Sequence, residues 1–335
     1  MREIGSEFWN VETCSHPHQF FPRNIQWYLS GRAALRAIIN KIGCASTVSM
    51  PAWYCDSMVR PFLDAGFKVK YYPVYPDCGL KQEIDMDADV LFVMDYFGYT
   101  TGNTVNHPCT IRDVTHSLFS KNYGDAQYYF GSLRKWCGVW TGGYAWTMNG
   151  EGLCEGTNYE AGYISLRSEA MSLKNCYING IPNTEGKPVT DKHYLDVFED
   201  AEKKLETVGI EAAAKRDIDI ASLLDIEFIK SRRRENASIL MNAFPEMLIF
   251  PESKKDDCPM FVPILVPDGK RDVLRKFLIG KEIYCPVHWP VSKYHKLDER
   301  TAVLYRDGLS LVCDQRYSRE DMERIVDAVH VFMED

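Results

Sequence analysis

No Cys-x-x-Cys pair occurs among the eleven cysteines of this chain, and their number is odd. That spacing argues against a zinc cage built on paired thiolates and against a disulfide framework. Reduced, mostly buried thiols in a cytoplasm are the expectation. No apolar run is long enough to span a bilayer, and Met1-Arg-Glu-Ile-Gly-Ser-Glu7 lacks the apolar core of a secretion signal. Basic residues are outnumbered 39 to 47, which leaves a net charge of −8. Nucleic acid and anionic membrane are therefore poor candidates for the main partner. Low-complexity tracts and internal repeats are absent. His16-Pro-His18 has no further ligand nearby, so no metal is expected.

What is present is globular. Hydrophobic residues at 45% and charged residues at 26% are values of a folded chain, and 335 residues suit a large domain with a smaller one. Residues 1–27 are aromatic and irregular and read as an arm packed on another surface. Ser30-Gly31-Arg32-Ala33-Ala34-Leu35 then runs into Ile38, Ile39 and Ile42 at helical spacing. Ser30 is a good N-cap, and a helix start of this kind suits a phosphate. Thr47–Met50, Lys68–Val74, Asp89–Met94 and Thr110–Asp113 read as strands, with a helix from Trp53-Tyr54-Cys55 to Gly66. Strands alternating with helices predict an α/β fold with a mainly parallel central sheet. Ligands in such sheets sit at the carboxyl ends of strands, where Asp113, His116, Tyr54 and the Ser30–Arg32 turn all fall.

The stretch Tyr128–Met148 reads as an apolar strand, a polar turn carrying Lys135, and a glycine pair, Gly142-Gly143, that opens a second strand. Trp136 and Trp140 beside Lys135 suggest a partly desolvated ammonium, and the neutral amine is the form that imine chemistry uses. From Lys192 to Asn242 the pattern is helical and charged. Arg232-Arg-Arg234, in an acidic chain, reads as a solvated helix face. Beyond Pro245, strands at Met260–Val266, Ile283–His288 and Leu309–Val312 alternate with helices at Asp272–Ile279 and Glu320–Phe332. The implied organisation is a large α/β domain over 1–225 and a small C-terminal α+β domain over 226–335.

With these landmarks in order, the chain resembles the DegT/DnrJ/EryC1/StrS family of sugar-aminotransferase-like enzymes, fold-type-I and pyridoxal-phosphate-dependent. Ser30-Gly-Arg-Ala-Ala-Leu35 stands where the family has its S-G-T-x-A-L phosphate loop. Pro51 through Gly66 keeps the spacing from the segment that stacks on the cofactor to the next strand. Ile111-Arg-Asp-Val-Thr-His116 is similar to E-D-x-A-[QH], whose aspartate pairs with the pyridine nitrogen. Lys135, with Gly142-Gly143 behind it, matches the Schiff-base lysine. Cys285–Pro290 and Leu309–Arg316 resemble the C-terminal strands.

The resemblance implies pyridoxal 5'-phosphate as cofactor and a homodimer. It also implies transfer of an amino group from an amino acid to a keto-sugar, nucleotide-linked, or to a similar carbonyl compound. Lys135, Asp113 and His116 would be catalytic, and Gly31, Arg32, Tyr54, Cys55 and Ser132 would help hold the cofactor. The chain departs from the pattern in places. Arg32 replaces a hydroxyl residue, Cys55 takes the stacking position with Trp53 and Tyr54 just before it, and no copy of the family's asparagine–arginine segment is found. A pyridoxal-phosphate lyase or dehydratase, and a non-catalytic regulatory or scaffold relative, stay open as alternatives.

Overall fold

Seven strands form the central sheet: β1 (Gln26–Tyr28), β2 (Thr47–Pro51), β3 (Lys68–Tyr72), β4 (Val90–Met94), β5 (Thr110–Asp113), β6 (Tyr128–Ser132) and β7 (Gly143–Thr147). In this computed structural model, which describes residues 3–101, 105–120, 124–157, 159–295 and 297–334, their order is β1-β7-β6-β5-β4-β2-β3. Only β7 runs against the rest. The carboxyl ends of β1, β2, β4, β5 and β6 consequently share one edge of the sheet. The chain leaves β2 for β3 on one side and returns to β4 on the other. That reversal is where open α/β sheets place ligands. All five residues of β4 are buried, as expected of a strand covered on both faces.

Helix α1 (Gly31–Ile42) buries Ala33, Ala34, Leu35, Ala37, Ile38 and Ile39, and α2 (Asp56–Asp64) turns Val59 and Phe62 inward. Two glycines let α1 lie on the sheet. A Cβ on Gly143 would stand 2.0 Å from the Ser30 carbonyl oxygen, and Gly142 has φ +128°. Without side chains there, β7 can pass under the start of α1.

The strand expected over Lys68–Val74 stops at Tyr72 because Pro73 has no N–H for the ladder. Val74–Pro76 pairs instead with Leu80–Gln82. Pro286 likewise shortens the strand expected at Ile283–His288 to Ile283–Tyr284.

Helices α3 (Ala161–Asn179) and α4 (Tyr194–Lys204) pack on each other, and α5 (Lys215–Ala221) follows. A separate apolar cluster gathers around the antiparallel pair β8 (Phe261–Leu265) and β9 (Gly308–Val312). Helices α6 (Ile226–Ala243), α7 (Arg271–Gly280) and α9 (Arg319–Glu334) supply its walls, and α8 (Glu299–Asp307) precedes β9. The N-terminal arm packs on its own chain. Ile4 and Gly5 pair in parallel with Ile283 and Tyr284, and Glu3 bonds the buried Lys174 at 2.8 Å.

The run Arg232–Arg234 is not a solvated face. Arg233 is 1% exposed, with Nε on Gln315 Oε1 at 2.8 Å and Nη1 on the Met260 carbonyl at 2.9 Å. Arg234 donates to the Asp257 carbonyl at 2.7 Å. A guanidinium has five donors, enough to tie loops together from inside. No helix among the described residues is long and apolar enough to cross a membrane.

Candidate active site

One cavity of about 140 Å³ is lined by Gly31, Arg32, Tyr54, Cys55, Asp113, His116, Ser132 and Lys135. These eight residues come from four separate stretches of chain. They meet because each stretch leaves a strand at the same sheet edge.

Asp113 ends β5 and is 4% exposed. The Tyr54 hydroxyl donates to its Oδ2, and the Thr115 N–H donates to Oδ1 at 2.8 Å. Burial pushes this carboxyl up to about 6, against the lowering effect of hydrogen bonds from the Thr115 side chain, Tyr54 and the Thr115 N–H. Tyr54 is itself buried, edge-on to Phe92 at 5.0 Å. Trp53, its neighbour, stacks on Tyr96 at 5.1 Å and does not line the cavity. Cys55 does line it, at the N-cap of α2, with its Sγ 3.0 Å from Ser57 Oγ.

His116 is 4% exposed, and its Nδ1 is buried without a hydrogen-bond partner. Burial, with His288 and Lys135 near, holds the imidazole neutral, well below its usual range. The indole of Trp289 lies over it, ring centres 5.7 Å apart and planes within 18°. Trp289 thus covers the cavity from a loop more than a hundred residues away in sequence. The motif Cys285–Pro290 points to this segment, yet nothing in its pattern marks Trp289 as a lid over His116.

Lys135 closes the short turn Leu133–Lys135 that follows β6. It does not sit as the neighbouring tryptophans suggest. Lys135 is exposed, Trp136 is fully buried with its indole N–H on the Thr115 carbonyl at 2.6 Å, and Trp140 stacks under Arg216 at 4.2 Å. The turn points Trp136 into the core and leaves the ammonium in the cavity mouth.

The start of α1 and the side chains around it are rich in donors. Ser30 caps α1, its hydroxyl accepting the Ala33 N–H at 3.2 Å, while the first amides of the helix lack intrahelical acceptors. Arg32 bonds the Leu205 carbonyl at 2.6 Å, and its Nε is buried and unpartnered. Arg134, absent from the sequence-predicted set, pairs with Glu202 and also carries a buried, unpartnered Nε. Glu202 and Leu205, both from the end of α4, complete this wall. No cluster of three or more metal-ligating side chains exists among the described residues. His18 instead bonds the Leu224 carbonyl at 2.7 Å.

No family model matches the chain, and no curated protein sequence matches it. Solved structures do. The sugar aminotransferase CalS13 from Micromonospora echinospora matches with TM-score 0.56 at 12% identity, over 91% of this chain and 86% of that one. A DegT DnrJ EryC1 StrS aminotransferase from Brucella abortus gives 0.59 at 15%, over 92% and 85%. PseC of Helicobacter pylori, an aminotransferase involved in the biosynthesis of pseudoaminic acid, gives 0.58 at 14%, over 97% and 98%. The chain therefore has the fold-type-I α/β architecture seen in aminotransferases of the DegT/DnrJ/EryC1/StrS type.

Proposed function

We propose that this chain is a pyridoxal-phosphate-dependent aminotransferase. It would take an amino group from an amino acid and deliver it to a keto-sugar, nucleotide-linked, or to a similar carbonyl compound. The observation that carries this reading is that Lys135, Asp113 and the N-terminus of α1 line a single cavity.

The residues present fit the cofactor. Its phosphate matches the amides of Gly31 and Arg32, the Ser132 hydroxyl and the two unpartnered Nε groups of Arg32 and Arg134. A protonated ring nitrogen matches Asp113, a buried carboxylate already oriented by donors from Tyr54 and Thr115. An aldehyde matches the Lys135 amine. When bound, pyridoxal phosphate supplies an aldehyde that captures amines and a ring that withdraws electrons from the carbon next to them.

The protein's share of the chemistry follows from its own groups. Asp113 would hold the proton at the ring nitrogen. Lys135 Nζ would carry the aldehyde carbon at rest, then serve as acid and base at the substrate carbon. His116, neutral, offers one ring nitrogen as donor and the other as acceptor beside the ring. Trp289 and Tyr54, in edge contact with each other, would exclude water from their part of the cavity. We further place the division between a cofactor domain and a small domain near residue 226, and infer a cytoplasmic homodimer. The homodimer and the cytoplasmic location rest on the resemblance and on the free cysteines.

The test is a half-reaction. Protein loaded with pyridoxal phosphate is mixed with a panel of amino acids and its visible absorption followed. A donor that converts the band to the pyridoxamine form supports the reading. A protein that takes up no cofactor sinks it.

A further inference from the structure

A second cavity, of about 360 Å³, shares Arg134 and Lys135 with the first and takes Gly5, Ser6, Glu7 and Phe8 of the N-terminal arm into its wall. Charges of opposite sign alternate from one cavity to the other. Arg134 pairs with Glu202, which also lines the first cavity. Glu202 stands 3.5 Å from Nη1 of Arg167, and Nη2 of Arg167 donates to Glu7 of the arm at 2.8 Å. One acid is thus shared by two guanidiniums, and one guanidinium by two acids.

Arg167 is the junction. It is fully buried on α3, with its guanidinium 4.9 Å over the Phe198 ring of α4. A cation so placed depends on its partners, because removing one leaves buried charge uncompensated. Its Nε and Nη1 make no hydrogen bond, so the fork has donors to spare and its grip can pass from one carboxylate to the other. The arm brings Glu7 to it by contacts of its own. Arg316 donates to the Ser6 and Glu7 carbonyls at 3.2 and 3.0 Å, and the Gly5 N–H meets the Tyr317 hydroxyl at 2.8 Å. Burial would raise the Glu7 carboxyl, but Arg167, Lys135 and Arg134 hold it well below its usual range. It stays an anion.

We propose that Arg167 is a positioning residue of the first cavity, holding Glu202 on one side and Glu7 on the other, so that the N-terminal arm sets how far Arg134 is free to meet an anion. The inference rests on the reading, given above, of the α1 end as a phosphate site. With Glu7 seated, part of the charge of Arg167 is answered and Glu202 leans on Arg134. Without Glu7, Arg167 draws Glu202 harder, and Arg134 turns its charge to the phosphate. Without Arg167, Glu202 closes wholly on Arg134 and competes with the phosphate for it.

Calorimetric titration of the cofactor-free protein with inorganic phosphate tests the proposal, with pyridoxal, which lacks the phosphate, as the control. Glu202→Gln should tighten phosphate binding about two- to fivefold, and Glu7→Gln by a smaller factor. Arg167→Met should weaken it about tenfold and leave pyridoxal binding unchanged. In that background Glu7→Gln should add nothing, the signature of coupling through a shared partner. Should Arg167→Met not fold, Arg167→Lys takes its place in the cycle, because a single ammonium does not fork to two carboxylates. Effects of the Glu7 and Arg167 variants that simply multiply, an equal loss of pyridoxal and phosphate in Arg167→Met, or no saturable phosphate binding by the wild type would each overturn the inference. Uptake of pyridoxal phosphate, followed by absorbance, tests the enzyme reading and does not enter the cycle, so the two fail separately.

Discussion

The Tyr54 hydroxyl and the Asp113 carboxylate are joined by a direct hydrogen bond in the wall of the first cavity. Tyr54 is buried, and its own N–H is held by the Tyr305 hydroxyl at 3.1 Å, so the phenol cannot easily swing away. Its ring also meets the Trp289 indole edge-on, centres 5.9 Å apart. The sequence, which left Trp53, Tyr54 and Cys55 as candidates for covering a cofactor ring, does not show that Tyr54 is the one bonded to Asp113.

That bond has a measurable consequence. Tyr54 donates to the ionised form of Asp113, so Tyr54→Phe removes a lowering influence and the carboxyl titrates above its present value of about 6. Carboxyl NMR of the cofactor-free protein should show the shift. A value that stays or falls would contradict the bond as drawn.

Asp113 also ties stability to pH. Its carboxyl rises from an ordinary 3.8 to about 6 on folding, so the folded state binds its proton more tightly. The stabilisation this provides is full below pH 3.8 and is lost as pH climbs through 6, a loss of about 3 kcal/mol. Comparing melting temperatures of wild type and Asp113→Asn between pH 4 and 8 isolates the effect. The wild type should lose stability relative to the variant across that window.

Gly143 carries α1. Adding a methyl group there drives it into the Ser30 carbonyl, 2.0 Å from the ideal Cβ position. Gly143→Ala should cost about 1–3 kcal/mol in chemical denaturation and weaken binding of inorganic phosphate. Wild-type stability in this variant would mean that the helix start is free to move.

Glu3 latches the N-terminal arm. Burial alone would raise its carboxyl, but Lys174, Tyr194 and Lys192 hold it low. Lys174, by contrast, is drawn down to about 8 by burial and Arg316. Glu3→Ala leaves Lys174 buried without its partner and should cost about 3–5 kcal/mol. Hydrogen exchange should then reveal faster opening at Ile4 and Gly5.

Much of the arrangement is legible in the chain, and the failures have physical causes. β4 declares itself because a strand covered on both faces needs unbroken apolar residues. Asp113, His116 and Lys135 are found because they end or follow strands. Helix α3 escapes notice since Arg167 and Lys174, fully buried through pairing with Glu7 and Glu3, interrupt the apolar stripe that would announce it. Arg233 is misread for a related reason. A run of three arginines looks solvated until the carbonyls that satisfy it are supplied by a distant loop. Trp289 and Glu202 join the cavity through tertiary packing alone, which local pattern does not encode.

The most direct test of the proposed chemistry is borohydride reduction of the protein with pyridoxal phosphate, followed by peptide mapping. A single pyridoxyl label on Lys135, lost in Lys135→Ala while the variant stays folded, is the expected result. Label on another lysine, or no stable label at all, would contradict the assignment of Lys135 as the residue that carries the cofactor.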